Sequence, residues 1–155
     1  QPDEARACFE NGSIDAWAAW KPYVTTAIHQ IDAVPILTSE DLNLLSPAFL
    51  VASTKFTEKY PEYTVKFLEV YEKARKDYVD HIDTVSEELA AVQGVDAEII
   101  REVNEKQAPS LLPTTKEFEK AQQNQADFLY SQGVINKKIN VSEVIDNQFV
   151  EKALK

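Results

Sequence analysis

Apolar residues recur three and four positions apart through most of the chain, which is the spacing of one face of an α-helix. Together with residues typical of helix ends, this spacing predicts helices over 3–11, 23–30, 54–59, from Pro61 onward, 84–94, 97–106, 114–133 and 142–153. Three short apolar runs have the length and composition of strands instead: 14–20, 33–37 and 48–52. Strands separated by helices predict an α/β fold, with a short sheet and several helices.

Several helix ends have specific sequence signals. Glycines at positions 12, 94 and 133 are placed to close helices in the left-handed conformation. Asp96 and Ser142 are suitable N-caps, and the pairs Thr84–Glu87 and Thr114–Glu117 have the spacing of a capping box. These signals predict the starts of the last four helices.

The long helix from Pro61 has a stripe of apolar positions. Phe67, Tyr71, Ala74 and Tyr78 follow one another at intervals of four, three and four residues. Such spacing places them on one helix face, and a continuous apolar face is normally the buried one. We therefore expect this stripe to belong to the core and not to a ligand site.

Charge and composition exclude several classes of protein. The 155 residues include 26 acidic and 16 basic ones, a net charge of −10, and no cluster of Lys and Arg suits a phosphate backbone. Nucleic acid is therefore not an expected partner. No apolar stretch approaches the roughly 20 residues of a membrane-spanning helix. The length suits a single domain, and Cys8, the one cysteine, is expected to be a small buried hydrophobe.

Signatures of catalysis or of metal binding are lacking in the sequence. With three glycines there is no phosphate-binding loop, and neither a Gly-x-Ser-x-Gly nor a His-Glu-x-x-His motif occurs. Asp77 and His81 lie one helical turn apart, but two ligands make at best a surface metal site. We expect no enzyme activity, no cofactor and no structural metal.

An aromatic run at residues 15–23 is the unusual feature of the chain. Trp17 and Trp20 would face opposite sides of a strand, so both cannot fill the same layer. In open α/β sheets, ligands bind beyond the carboxyl ends of strands, where Trp20 and Tyr23 would lie. Two interpretations remain open: a ligand site at this end, or two tryptophans buried in the core.

Residues 10–23 resemble a segment of a known family. Asp15-Ala16-Trp17-Ala18-Ala19-Trp20-Lys21-Pro22-Tyr23 is similar to the "D-A-W-x-x-W-x-P-(Y/F)" motif of the substrate-binding proteins that serve ABC importers of aliphatic sulfonates, taurine and nitrate. Further similar segments follow in register at 49–56, 58–62, 112–114 and 132–135. The resemblance covers nearly the whole chain and matches the carboxyl-terminal part of the family. Lys21 and Tyr60 differ from its usual residues.

The resemblance implies a fold, a function and a site. The fold is the helix-rich portion of a type II periplasmic-binding-protein-like fold, with residues 1–155 forming one carboxyl-terminal segment of a two-lobed protein and the amino-terminal lobe portion absent. The implied function is capture of a small sulfonate-like anionic solute and its delivery to the membrane subunits of an ABC permease. Trp17, Trp20, Tyr23 and Ser46 would line the cleft.

The implied location is the periplasm, or the cell surface through a lipid anchor in a Gram-positive bacterium, with the leader absent from this span. Two other functions remain open. An acidic, helix-rich domain that binds another protein would use the aromatic run as core. A related lobe architecture also serves in thiamin-pyrimidine biosynthesis, although the residues for such chemistry are not visible.

Overall fold

The computed structural model describes residues 2–45 and 47–155, and these residues are mostly helical. The α-helices are α1 (Pro2–Glu10), α2 (Tyr23–Ile31), α3 (Thr54–Lys59), α4 (Pro61–Asp80), α5 (Ile82–Gln93), α6 (Ala97–Lys106), α7 (Lys116–Ser131) and α8 (Gln148–Ala153). A short 3-10 helix, Val141–Glu143, lies between α7 and α8.

Several predicted helix ends are confirmed. After α1, Gly12 has a φ of 73° and Ser13 donates its backbone N–H to Cys8 O over 2.9 Å. Gly94 closes α5 in the same left-handed conformation. The Asp96 carboxylate accepts the Glu98 N–H over 2.8 Å at the start of α6. Local sequence therefore determines where these helices stop and start.

Both predicted capping boxes are wrong. Helix α5 begins at Ile82, with His81 in the N-cap position, so Thr84 lies inside the helix. At α7 the capping side chain is Thr115, whose hydroxyl accepts the Phe118 N–H over 3.3 Å. The cap is thus displaced by one residue from Thr114.

The predicted final helix is interrupted. Asn147 donates its side-chain amide to Thr114 O over 2.9 Å and accepts the Thr114 N–H over 2.8 Å. This pair of bonds commits Asn147 to a contact distant in sequence. Consequently the 3-10 helix ends at Glu143, and α8 begins only after Asn147.

The predicted strands are not found in the part of the chain that the structure describes. Residues 16–20, 33–37 and 48–52 form neither helix nor strand. A strand requires a neighbouring strand to share its backbone hydrogen bonds, and none of these runs pairs with another described run. The helix-rich character of the predicted fold is confirmed, whereas its short sheet is not.

The chain folds as two compact units, each made of two stretches. The first contains residues 1–36 and 76–109. Within it α5 packs on α6, and α2 also contacts α6. Ile99 and Ile100 of α6 are each 4% exposed. The buried Ser86 hydroxyl donates to Ile82 O over 2.6 Å and accepts the Asn104 amide over 2.9 Å.

The second unit contains residues 37–75 and 110–155. Its core is formed by Leu68 of α4 with Phe149 and Val150 of α8. Half-buried apolar residues surround these three: Val65, Leu111 and Ala153. The prediction that residues 1–155 form one segment of a two-lobed protein stays a prediction.

The predicted buried face of α4 is wrong. Phe67 is 60% exposed, Tyr71 and Ala74 are exposed, and Tyr78 is half-buried, whereas Thr64 and Leu68 are buried. The helix has two apolar faces about 100° apart, and α8 packs on the face that contains Leu68. Spacing alone could not distinguish between those faces, because both repeat every three to four residues.

Candidate functional site

Four rings form an aromatic cluster in the first unit: Phe9, Trp17, Trp20 and Tyr23. Tyr23 lies between the two tryptophans, with its ring centroid 6.0 Å from Trp17 and 5.7 Å from Trp20, and both contacts are edge-to-face. Phe9 extends the cluster on the far side of Trp17, at 6.2 Å. Each aromatic pair in such a geometry contributes about 0.5–1.5 kcal/mol beyond the burial of area.

The two helices that flank the cluster hold it in place. Phe9 is in the last turn of α1, and the loop after Gly12 carries the chain back to Trp17. At the other end, Trp20 O accepts the Val24 N–H over 3.2 Å, which joins the Trp20 backbone to the first turn of α2. Three buried residues then anchor α2 to its unit: Thr25, Thr26 and Ala27. The Trp20 backbone is therefore fixed although its side chain is not buried.

The two tryptophans have different environments. Trp17 and Tyr23 are half-buried, whereas Trp20 is 62% exposed. The interpretation that both tryptophans are core residues is therefore wrong for Trp20. The expectation that the two rings face opposite sides of a strand is wrong, because residues 16–20 form no strand.

Two further residues bear on the predicted site, Lys21 and Ser46. Lys21 directly follows Trp20, is half-buried, and has no ion pair within residues 2–45 and 47–155. It is the basic residue that follows the exposed ring in the sequence, in a chain whose net charge is −10. Ser46, the fourth predicted site residue, lies outside the described residues.

Comparisons with known proteins show what the chain is similar to. The chain is 37% identical over 154 residues to an aliphatic sulfonates-binding protein of Bacillus subtilis (strain 168), and 28% identical over 145 residues to a protein of that description from Escherichia coli (strain K12). The crystal structure of the periplasmic aliphatic sulphonate binding protein SsuA from Escherichia coli superimposes on 94% of this chain, with a TM-score of 0.82 and 27% identity. Over nearly its whole length the chain is thus similar to proteins named for binding aliphatic sulfonates.

These matches confirm the resemblance seen in residues 10–23, to the carboxyl-terminal part of an ABC-importer substrate-binding protein. The chain spans about half the length of the relatives it matches: 46% of the Bacillus subtilis protein, 45% of the Escherichia coli protein and 47% of the SsuA chain. No protein-family model matches it.

The described part of the chain contains no group of three or more His, Cys, Asp or Glu side chains that could hold a metal ion. His81 Nδ1 lies 3.3 Å from Asp77 Oδ1, so the pair expected from the sequence does meet, without a third ligand in that part. Cys8 is a half-buried free thiol. Among residues 2–45 and 47–155, no helix combines the length and the apolar character that crossing a bilayer requires.

A polar depression of about 260 Å³ in the second unit was not expected from the sequence. It lies between α7 and the 3-10 helix and includes Lys116, Lys120 and Asn140 in its lining. The depression contains none of the predicted site residues. Its members are scattered between positions 116 and 142, so no local motif in the sequence marks them.

Proposed function

We propose that this chain supplies one part of an extracytoplasmic solute-binding protein that captures a small sulfonate-like anion and delivers it to the membrane permease of an ABC importer. The similarity to these relatives supports this proposal, since they are named for binding aliphatic sulfonates. Those names describe binding proteins and not enzymes, which also supports a role without catalysis. We assign the activity to the complete two-lobed protein, because the chain spans about half of its relatives.

Trp17, Trp20 and Tyr23 are the proposed ligand-binding residues of this chain. The observation that carries the assignment is the exposure of Trp20, which is 62% accessible although Tyr23 contacts it edge-on. A large ring that is both fixed and exposed is typical of binding surfaces, because it gains from burial and loses little conformational entropy. The aliphatic tail of a sulfonate would contact these rings.

The anionic head of the solute needs a positive charge and hydrogen-bond donors. Lys21 follows Trp20 and is not ion-paired within the described ranges, which makes it the nearest candidate cation in sequence. In this proposal the Ser46 hydroxyl adds a donor. Further donors come from the part of the protein that the relatives possess beyond the matched region.

Capture would occur by closure of the two lobes around the solute. A ligand shifts such an equilibrium only by the difference between its affinities for the open and the closed form. Rings on one lobe that contact the solute in both forms, and donors on the other lobe that reach it only on closure, would provide that difference. The closed form would then be the one that the permease recognises.

The proposed location is outside the cytoplasm: the periplasm, as the description of SsuA states for that protein, or the cell surface through a lipid anchor. The comparisons favour solute capture over the alternative of an acidic, helix-rich domain that binds another protein. The exposure of Trp20 points in the same direction, because that alternative treats the aromatic run as core.

A fluorescence titration tests the proposal. The rest of the Bacillus subtilis relative is joined to this chain, and tryptophan emission is followed while ethanesulfonate, taurine or nitrate is added. We expect a saturable change with at least one of these solutes and none with dimethyl sulfone, which has two sulfonyl oxygens but no charge. Titrations that stay flat with all three anions would contradict the proposal.

A further inference from the structure

The loop that follows α1 contains the one Asn-Gly sequence of the chain. Asn11 and Gly12 come directly after the last residue of α1, and both are exposed, as is Ser13. An asparagine loses its side-chain amide when the peptide nitrogen of the next residue attacks it, and glycine, which has no Cβ, obstructs that attack least. Each of the six other asparagines is followed by a residue with a side chain. The sequence therefore favours this reaction at Asn11.

The Asn11 side chain is held by two hydrogen bonds to its carbonyl oxygen. Asn11 Oδ1 accepts the Ser13 backbone N–H over 2.9 Å, and it also accepts the Ser13 hydroxyl. Since Ser13 N lies one residue beyond Gly12, these bonds turn the side-chain amide back over the Gly12 peptide. Attack on the amide carbon would place negative charge on Oδ1. The two Ser13 donors already point at the atom that would carry this charge, as donors do in an oxyanion hole.

The attacking atom, Gly12 N, is weakly held and accessible. Its N–H donates to Phe9 O over 3.2 Å, at the long end of the range for such bonds. This bond belongs to the end of a helix, where local opening costs little free energy. A Cβ at position 12 would meet no atom within 4 Å, so the space beside Gly12 is free. The nitrogen can therefore leave its bond and reach the amide without disturbing packed side chains.

We propose that Asn11 is a site of spontaneous deamidation, which the two Ser13 donors accelerate. Gly12 N forms a bond to Asn11 Cγ, the bond from Cγ to Nδ2 breaks, and ammonia leaves with the Gly12 proton. Water then opens the cyclic imide by breaking the bond from its nitrogen either to Cγ or to the main-chain carbonyl carbon. The first route gives an aspartate and the second an isoaspartate. The reaction consumes one water and releases one ammonia.

Either product would weaken the end of α1. A carboxylate at position 11 follows Glu10, at the negative end of the helix dipole, where added negative charge is destabilising. An isoaspartate would also lengthen the main chain between Phe9 and Trp17, whose ring centroids are 6.2 Å apart. Deamidation would therefore mark aged molecules by a weaker attachment of α1 to the aromatic cluster. This inference goes beyond solute capture and does not depend on it.

Incubation of the chain in neutral buffer, followed by peptide mass spectrometry, tests the proposal. Asn140 is a matched control within the molecule, because it is exposed and its Oδ1 accepts the Ser142 hydroxyl over 2.9 Å, but Val141 follows it. The β-branched side chain of valine crowds the attacking nitrogen. We expect deamidation of Asn11 to be at least about tenfold faster than that of Asn140. An isoaspartyl methyltransferase with a labelled methyl donor measures the isoaspartate fraction.

The Ser13→Ala variant separates the effect of the fold from that of the Asn-Gly sequence. It removes the hydroxyl donor, so deamidation of Asn11 in the folded variant should be severalfold slower than in the unmodified chain. In concentrated urea, where these hydrogen bonds are lost, the two chains should react at equal rates. Asn11→Asp imitates one product and should lower the thermal midpoint by about 1–3 °C.

Three results would overturn the proposal. One is an intact Asn11 in the folded chain over a period in which the urea-unfolded chain deamidates, because the fold would then protect the site. Another is an equal rate at Asn11 and Asn140. The last is an effect of Ser13→Ala on the rate that is the same in the folded chain and in urea. Solute binding enters none of these measurements, so this proposal and the proposed function can fail separately.

Discussion

The Trp20 ring stands edge-on against Tyr23, with ring centroids 5.7 Å apart and ring planes at 87°. This geometry places the positive edge of one ring against the negative face of the other. Tyr23 makes a second edge contact with Trp17, so one phenol ring positions both indoles. Only Trp20 of the three is mostly exposed, and its role in stability and its role in binding should therefore be separable.

Trp17→Ala should destabilise the chain more than Trp20→Ala. Trp17 is half-buried and contacts two rings, Phe9 and Tyr23, whereas Trp20 is exposed and contacts Tyr23. At about 0.5–1.5 kcal/mol for each ring pair, together with the greater burial of Trp17, the two losses should differ by at least about 1 kcal/mol. Urea denaturation followed by circular dichroism measures the free energy of unfolding of both variants. Equal losses would contradict the prediction that Trp17 contributes more to stability than Trp20.

Leu68→Ala should destabilise the fold more than Phe67→Ala. Leu68 lies in the core of the second unit, and its truncation should lower the free energy of unfolding by about 2–5 kcal/mol. Phe67 is 60% exposed, so the same change there should cost less than about 1 kcal/mol. Thermal denaturation of the two variants checks this directly. A larger loss for Phe67→Ala would restore the prediction from sequence that Phe67 belongs to the core.

Ser86→Ala should destabilise the packing of α5 on α6. The Ser86 hydroxyl is 1% exposed and receives the Asn104 amide over 2.9 Å, so its loss removes a buried acceptor. We expect a net loss of about 1 kcal/mol, because the higher helix propensity of alanine offsets part of the cost. Ser142→Ala is the matched control, since that hydroxyl is exposed and bonds locally to Asn140. Comparable losses in urea denaturation would show that burial of Ser86 contributes nothing.

Ionisation of Glu102 should make the stability of the first unit depend on pH. Hydrogen bonds from Lys106 and then His29 hold the pKa of the Glu102 carboxyl below its ordinary value of 4.5. A lowered pKa in the folded state means that the ionised group stabilises the fold above about pH 4.5, and that this contribution disappears as the pH falls through the folded-state pKa. Glu102→Gln should therefore lower the thermal midpoint at pH 7 and leave it unchanged at pH 2.

The size of that effect should be small, since the Glu102 side chain is 36% exposed and its ion pairs are therefore screened by solvent. Added salt at pH 7 should reduce the difference between Glu102→Gln and the unmodified chain. A difference that persists at pH 2 would indicate that Glu102 acts through packing and not through its charge.

Helix ends could be predicted where the signal is local. Gly12 and Gly94 have left-handed backbone conformations that glycine adopts without strain, and Asp96 bonds to an N–H two residues away. The break before α8 could not be predicted in this way. It depends on Asn147 bonding to Thr114, which is 33 residues away in the sequence.

Which side chains are buried and which segments pair as strands depends on contacts between segments that are distant in the sequence. A local pattern therefore could not predict either. The face of α4 that is buried was decided by α8, so the spacing of Phe67 and Tyr71 predicted a stripe but not its environment. The apolar run at 48–52 has the composition of a strand and lacks a strand to pair with among the described residues. At the candidate site, the sequence motif identified the three rings, while the difference in exposure between Trp17 and Trp20 required the structure.

The most direct test of the central claim compares two variants of the chimaeric protein in which the rest of the Bacillus subtilis relative is joined to this chain. Trp20→Ala removes the proposed ligand contact, and Phe128→Ala removes a ring of matched exposure, 61% against 62%, in the second unit. Titration calorimetry with the best-bound sulfonate should show at least about a tenfold loss of affinity for Trp20→Ala. Phe128→Ala should stay within about twofold of the unmodified protein. Unchanged affinity in Trp20→Ala would contradict the claim that these rings line the solute site.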